Sequence, residues 1–93
     1  MKVRDLKNEL EKNTDKMKVN KHLTSISHWI KRIFDADKGQ YVTRDFNEIN
    51  TLETLTGLRI ISLRKGSGDD IIAELTEEGR ELFRDFTGHG YYL

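Results

Sequence analysis

The chain has 93 residues, of which 35% are hydrophobic and 34% charged, so it can build one modest core under a heavily charged surface. Sixteen Lys and Arg balance sixteen Asp and Glu, and the absence of cysteine excludes disulfides and thiolate metal sites. No stretch is apolar over the length of a membrane span, and the N-terminus lacks the apolar core of a signal peptide. We therefore expect a single domain, residues 1–93, located in the cytoplasm and not in a membrane.

The first predicted element is an amphipathic helix over residues 3–13. Val3, Leu6 and Leu10 recur at helical spacing, and charged residues fill most positions between them. So narrow an apolar stripe suits the pairing of two helices, which makes residues 1–19 a candidate dimer contact. Packing of the stripe on its own domain is the alternative.

The strongest helical period in the sequence predicts a core helix over residues 20–34. Its apolar positions are Leu23, Ile26, Ile30, Ile33 and Phe34, with Trp29 on the flank. Residues 35–40 then end the helix as a polar loop that contains glycine.

The segment after this loop has two interpretations. In one, residues 41–43 form a short strand, and two very short helices follow, split near Asn50. In the other, Thr43 caps a single helix over residues 43–56. The side chains expected on the buried side of that helix are Phe46, Ile49, Leu52 and Leu55. The stretch up to Gly57 is too short for two full helices and a turn, which favours the single helix.

Residues 58–75 predict a β-hairpin. Two runs of aliphatic and β-branched residues, 58–64 and 71–75, are typical of strands. Between them, the sequence Gly66-Ser67-Gly68-Asp69 tolerates the positive φ angles of a tight turn.

The last predicted helix covers residues 76–86. Thr76 occupies the N-cap position, and Glu77 and Glu78 follow in the first turn, where carboxylates favour the positive end of the helix dipole. Its apolar stripe consists of Leu82, Phe83 and Phe86. The tail, residues 87–93, contains two glycines and is expected to be mobile; folding back on the core or crossing to a partner subunit is the alternative.

This order of elements resembles a winged-helix domain, which is a helix-turn-helix with an added β-hairpin, the wing. The resemblance is carried by Leu52, Leu55, Gly57 and Leu58, then by the hairpin, then by Leu75 to Leu82. It implies an α+β winged helix-turn-helix fold in which helix 20–34 is the partner of a recognition helix, residues 43–56. Many bacterial and archaeal domains of this family regulate transcription. The resemblance therefore implies a small DNA-binding regulator, dimeric through its first or last helix.

The resemblance also implies which residues contact double-stranded DNA. They are Thr43, Arg44, Asn47 and Thr51 on the recognition helix, Arg64, Lys65 and Ser67 on the wing (residues 64–69), and Lys31, Arg32 and Lys38 near the presumed turn. Arg and Asn side chains can read guanine and adenine edges through paired hydrogen bonds, and cations hold phosphates.

Three acidic residues on the same helix, Asp45, Glu48 and Glu53, oppose phosphate binding. The alternative function is therefore a winged-helix module that binds a protein partner and not DNA. The positions of the basic side chains distinguish the two functions, because a shared face favours DNA and scattered positions favour protein contact.

The sequence contains no group of reactive side chains at a spacing that would indicate catalysis, a cofactor site or a metal site. His22 and His28 are six residues apart, which points them to different faces of a helix; a metal site would need both to converge with a carboxylate. The sequence also contains no nucleophile elbow, phosphate-binding loop or zinc-protease motif. We therefore predict that the protein is not an enzyme.

Overall fold

The structure, a computed structural model, describes residues 1–92 as four helices and one three-stranded sheet. In chain order these are α1 (Val3–Asn13), α2 (Lys16–Asp35), β1 (Tyr41–Thr43), α3 (Phe46–Thr56), β2 (Ile61–Lys65), β3 (Ile71–Leu75) and α4 (Glu77–Gly88). The predicted α+β class is confirmed. Within the described part of the chain, no helix combines the length and the apolar character needed to cross a membrane.

The sheet has the strand order β1-β3-β2, and both pairs are antiparallel. β2 and β3 form the predicted hairpin, and β1 lies on the other side of β3 with Val42 opposite Ile72. Ile61, Ala73 and Leu75 are buried on the inner face of the sheet. Because side chains alternate along a strand, Val42 and Arg64 lie on the outer face and are exposed.

The core lies between α1, α2, α4 and the inner face of the sheet. α2 contributes the largest group of buried apolar side chains, Val19, Leu23, Ile26, Ile30 and Ile33. α3 contributes Leu52 and Leu55, and α4 contributes Leu82 and Phe86. Each such side chain contributes about 1.5–3 kcal/mol when it leaves water, so α2 is the element around which the others assemble.

α2 begins earlier than residue 20, the predicted start. Asp15 is its N-cap, and the Asp15 carboxylate accepts a hydrogen bond from the Met17 N–H at 3.1 Å. The first turn of the helix, residues 16–19, buries only Val19, and Met17 is 90% exposed. The apolar period of the helix starts only at Val19, so the three residues before it carry no periodic signal, and periodicity placed the start too late.

The segment between α2 and β2 combines parts of both interpretations. Residues 41–43 form a strand, and one helix follows, but that helix begins at Phe46 with Asp45 as its N-cap. The predicted boundary at Thr43 was wrong, because Thr43 pairs with Ile71 in the sheet. Phe46 was also misplaced: it is 74% exposed and not buried.

A single 3-10 turn (Asp37–Gly39) and β1 separate α2 from α3. The two helices are therefore not joined by the short turn of a helix-turn-helix. Lys38 and Gly39 in this turn both have positive φ angles, 56° and 69°. The arrangement of helices and hairpin is compatible with a winged helix, whose assignment remains a proposal.

The apolar stripe of α1 packs on its own domain. Val3 and Leu6 are buried, and Leu10 is partly buried against the core. The Val3 N–H also donates a 2.7 Å hydrogen bond to the Asp85 carboxylate of α4. Between the two alternatives for this stripe, the structure selects intramolecular packing.

The hairpin and the tail differ from the prediction at their ends. β2 begins at Ile61 and not at residue 58, because residues 57–60 form a turn in which Arg59 has a φ of 63°. α4 extends to Gly88, and Tyr92 folds back, donating a 3.0 Å hydrogen bond to the Ser27 carbonyl. The expectation of a mobile tail was wrong for residues 87–92; the last residue of the predicted tail, Leu93, lies outside the described residues.

Candidate nucleic-acid interface

The exposed face of α3 carries neutral hydrogen-bonding side chains. Its exposed residues include Asn47, Asn50, Thr51 and Thr54, together with Glu53. The two threonine hydroxyls donate to backbone carbonyls one turn earlier, at 3.1 and 3.2 Å, which leaves their lone pairs free to accept. Neither asparagine amide has a hydrogen-bond partner among residues 1–92.

Glu48 points away from this face and toward the sheet. Its carboxylate accepts hydrogen bonds from Thr43 Oγ1 at 2.7 Å, from the Tyr41 hydroxyl at 3.0 Å and from Arg32 at 3.2 Å. These hydrogen bonds, above all the one from Thr43, lower the pKa of Glu48. Burial, with the hydrogen bond to Glu48 as the second cause, raises the pKa of Tyr41. Glu48 is thus engaged inside the domain.

Asp45 is engaged as well. As the N-cap of α3, its carboxylate accepts a 2.9 Å hydrogen bond from the Glu48 N–H. Of the three acidic residues that argued against phosphate binding, two therefore have structural partners, and Glu53 is the one that faces solvent from the helix surface. The objection to a nucleic-acid function is weaker than the sequence suggested.

Arg32 of α2 lies at the junction of α2, β1 and α3. Its guanidinium is 4.3 Å from the centroid of the Trp29 ring and 5.0 Å from that of Tyr41, and it donates a 2.5 Å hydrogen bond to the Tyr41 hydroxyl. Cations are attracted to the faces of aromatic rings, Trp most strongly. These contacts and the ion pair with Glu48 fix Arg32 in position while half of its side chain remains exposed.

A polar face of α2 lies beside α3. Its residues recur every three or four positions and line a shallow groove of about 580 Å³; they are Lys21, Thr24, Ser25, His28, Trp29 and Arg32. A second groove, about 500 Å³, is lined in part by His22 and Ser25 of α2 and by Thr51 and Thr54 of α3. Because Ser25 belongs to both grooves, the two helix faces are continuous. We call them together the α2–α3 surface, made of the α2 residues of the first groove and of Asn47, Asn50, Thr51 and Thr54.

The α2–α3 surface carries the cations Lys21 and Arg32 on its α2 side, and Lys18 lies one turn before Lys21 on the same side of the helix. Residues 16–34 contain five Lys or Arg and no Asp or Glu. Lys18 and Lys21 have no ion-pair partner in the part of the chain that the structure describes. Glu9 of α1 is an acidic residue at the border of the second groove.

Comparison of the chain with protein-family models, with curated protein sequences and with solved structures gives no match. The residues of the α2–α3 surface and their charges are therefore the basis for assigning a function.

The basic residues predicted at the interface do not share one face. Lys31 pairs with Asp35 at 2.7 Å and lies over the Tyr92 ring, on the side of α2 that faces the tail. Arg64 pairs with Glu74 at 2.8 Å on the outer face of the sheet. Arg44 pairs with Asp70 and so links the start of α3 to the hairpin turn.

The remaining predicted residues divide between the hairpin, a turn and the α2–α3 surface. Lys65 and Ser67 are exposed at the hairpin tip, and Lys38 is exposed in the 3-10 turn. Thr43 is 7% exposed, and its hydroxyl is used by Glu48 and by the Asp45 N–H. The structure brings Arg32, Asn47 and Thr51 together on the α2–α3 surface.

Sequence reasoning missed most of the α2 side of this surface. The signal was the acid-free run over residues 16–34, which is visible in the sequence. Its meaning depends on which side of α2 faces solvent and on the position of α3 next to it, and both follow only from the assembled core.

No three His, Asp or Glu residues converge in a group that could hold a metal ion within residues 1–92. His28 lines the first groove and His22 the second, so the two histidines face different grooves.

Proposed function

We propose that the protein binds double-stranded DNA through the α2–α3 surface and acts as a small DNA-binding regulator. The observation that carries this proposal is the juxtaposition of an acid-free, cationic face of α2 with a neutral amide and hydroxyl face of α3. In the proposed complex, α3 enters the major groove, and α2 lies along the adjacent sugar–phosphate backbone.

The two helices would contribute different kinds of contact. Lys18, Lys21 and Arg32 would neutralise phosphates, which supplies most of the affinity and makes it depend on salt. Asn47 and Asn50 can pair bidentately with adenine, and a good bidentate pair discriminates against the wrong base by about 1–3 kcal/mol. Affinity and base reading thus come from neighbouring helices.

The ion pairs of Arg44 and Arg64 do not prevent their use by DNA. Exposed ion pairs of this kind are weak because water screens them, so both arginines can exchange their partner for closely spaced phosphates. In the proposed complex, Arg64 and Lys65 contact the flanking backbone from the hairpin, as the wing of a winged-helix domain does, and Arg44 contacts it from the start of α3. A homodimer that matches a palindromic site remains part of the proposal.

The test is fluorescence anisotropy with a mixed-sequence DNA duplex, titrated at several salt concentrations. The double variant Lys18→Gln/Lys21→Gln removes two neighbouring charges from the α2 side, Lys21 within the α2–α3 surface and Lys18 one turn before it. The matched control, Lys12→Gln/Arg84→Gln, removes two exposed charges from α1 and α4. The slope of log affinity against log salt should fall by about 2 in the first variant, since each lost phosphate contact contributes about 0.9, and should stay unchanged in the control.

Two outcomes would contradict the proposal. Absence of binding at low salt, with the protein folded, would exclude DNA as the partner. An equal loss in both double variants would show that binding is diffuse and that the α2–α3 surface has no special role.

A protein-binding module is the second candidate function. It is favoured by Phe46, which is 74% exposed at the first turn of α3, because exposed aromatic side chains are common anchors in protein interfaces. It is also favoured by the scattered positions of the predicted basic residues, of which Lys31, Arg44 and Arg64 form ion pairs on three different sides of the domain. If the anisotropy experiment shows no binding to DNA, this surface of α3 is the place to look for a protein partner.

A further inference from the structure

Three aromatic rings form a stack on the side of the domain where α2, α4 and the tail meet. The rings of Phe34 and Phe83 are nearly parallel, at 10°, with centroids 4.0 Å apart. The Tyr92 ring continues the stack 5.0 Å beyond Phe83, at 21°. Phe34 is the open end: one of its faces lies against Phe83, and yet 48% of the residue is exposed.

The open end of this stack borders a small cleft of about 250 Å³. The cleft is lined by Phe34, Lys38, Gly39, Glu74, Leu75 and Arg80. Glu74 is neutralised by its 2.8 Å ion pair with Arg64. Lys38 and Arg80 have no carboxylate partner within residues 1–92, so the charges left without a partner in the cleft are positive.

Both cations line the cleft, and the backbone around each of them is unusual or in direct contact with it. Arg80 donates a 3.2 Å hydrogen bond to the Leu75 carbonyl, which lies in the cleft wall. Lys38 has φ 56° and ψ 21°, a left-handed conformation that glycine adopts freely and a lysine does not. Strained residues of this kind concentrate at binding sites. A glycine at position 38 would relieve the strain, but it would also remove a free cation from the cleft.

We propose that this cleft binds a small planar aromatic carboxylate. The ring of the ligand would lie on the free face of Phe34 and extend the stack to a fourth ring, and its carboxylate would pair with Lys38 and Arg80. The cleft is smaller than the roughly 300–1,000 Å³ of typical drug-sized sites, so the ligand has one or two fused rings. The site is separate from the α2–α3 surface and does not depend on DNA binding.

The probe is 2-naphthoate, titrated into the ¹⁵N-labelled full-length protein and followed by amide chemical shifts. The largest shifts should fall on Gly39, Leu75 and Arg80. Two matched compounds separate the contributions: decahydro-2-naphthoate keeps the charge but lacks a flat ring, and 2-naphthamide keeps the ring but lacks the charge. Loss of stacking should weaken binding about threefold to tenfold, and loss of the carboxylate, which pairs with both Lys38 and Arg80, should weaken it by at least about fivefold.

Variants of the cleft residues provide the complementary test. Phe34→Leu and Lys38→Gln should each weaken 2-naphthoate binding by a similar factor, whereas Lys12→Gln, an exposed lysine on α1, should not change it. An unchanged pattern of peaks elsewhere in the spectrum verifies that each variant is folded. The proposal is overturned if the saturated compound binds as tightly as 2-naphthoate, if Lys38→Gln has no effect, or if the shifts map to another surface or do not occur.

Discussion

Gly79, in the first turn of α4, is packed directly against the backbone of the turn that precedes β2. A Cβ atom at this position would lie 2.0 Å from the Ile60 carbonyl oxygen. The same carbonyl accepts the Thr76 N–H at 3.0 Å, and the Thr76 hydroxyl both caps the Gly79 N–H at 3.1 Å and donates to Arg59 at 2.7 Å. The absence of a side chain at one residue therefore sets the docking distance of the whole helix.

We expect Gly79→Ala to lower the free energy of unfolding by at least about 1–3 kcal/mol, the usual range for overpacking. The clash is with a backbone atom, which cannot rotate away, so α4 would have to shift. Gly88→Ala is the matched control, because nothing lies within 4 Å of its added Cβ. Urea denaturation measures both, and equal stability of the two variants would refute this account of α4 packing.

The lowered pKa of Glu48 predicts how the stability of the protein depends on pH. Its pKa is lowered in the folded protein, so its contribution is fully present above the ordinary value of 4.5 and is lost as the pH falls through the lowered value. Glu48→Gln should therefore reduce the decline of the melting temperature below pH 4.5. Glu53→Gln, an exposed residue on the same helix, should leave that decline as in the wild type. Identical pH profiles for all three proteins would mean that the hydrogen bonds to Glu48 do not favour its ionised form.

At the scale of the elements, local patterns located α1, α2, the hairpin and α4, because each carries its own apolar period or turn residues. They failed at the start of α3, because β1 exists only through pairing with β3, some 30 positions later in the chain. Phe46 shows a second reason. The four side chains predicted to be buried in α3 are spaced three residues apart, whereas an α-helix has about 3.6 residues per turn, so each successive position is rotated further around the helix. At about 100° per residue, Phe46 lies half a turn away from the buried Leu55.

The candidate site was predictable only in part, for the same reason. The position of Asn47 and Thr51 on the exposed side of α3 follows from the helix period. The internal role of Glu48 does not, because its partners Thr43, Tyr41 and Arg32 come from two other elements. Ion pairs such as Arg44–Asp70 are equally invisible before the hairpin is placed next to α3.

The tail behaves as an extension of α4, and this can be measured. Tyr91 and Tyr92 are partly buried and pack against Phe86 and Phe83. We expect the double variant Tyr91→Ala/Tyr92→Ala to lose roughly 2–4 kcal/mol of unfolding free energy, less than two fully buried aromatic truncations. Phe46→Ala, which truncates an exposed aromatic residue, should change it by less than about 0.5 kcal/mol. A melting temperature unaffected by the double variant would mean that the tail is not docked.

At the scale of the whole molecule, a net charge of zero conceals a strong separation of charge. Residues 1–34, which form α1 and nearly all of α2, contain 9 Lys or Arg and 4 Asp or Glu. Residues 35–93 contain 7 and 12. Because α1 and α2 pack on each other, the positive part of the sequence is also one region of the structure, and the local field there decides what the protein attracts.

This separation predicts retention on two opposite ion-exchange media. At pH 7 and low ionic strength the protein should bind both heparin, through α2, and a quaternary-ammonium resin, through the sheet and α4. Retention on both should weaken as salt shortens the range of the interaction, to a Debye length of about 8 Å at 0.15 M. If a heparin column did not retain the protein, the positive region would not produce a local field strong enough to attract a polyanion.

The proposed homodimer has to be considered against the same structure. The apolar stripes of α1 and α4, the two contacts that the sequence suggested, supply Leu6, Leu82 and Phe86 to the core. Large apolar side chains that remain exposed are Met17, Phe34, Val42 and Phe46. A second copy would therefore have to dock on these groups or on charged surfaces.

The position of Trp29 has an optical consequence. The chain contains a single tryptophan, and its indole carries the Arg32 guanidinium on its face at the edge of the α2–α3 surface. Any ligand that draws Arg32 toward itself changes the surroundings of the only indole fluorophore. The emission of the unlabelled protein thus reports directly whether that surface is occupied.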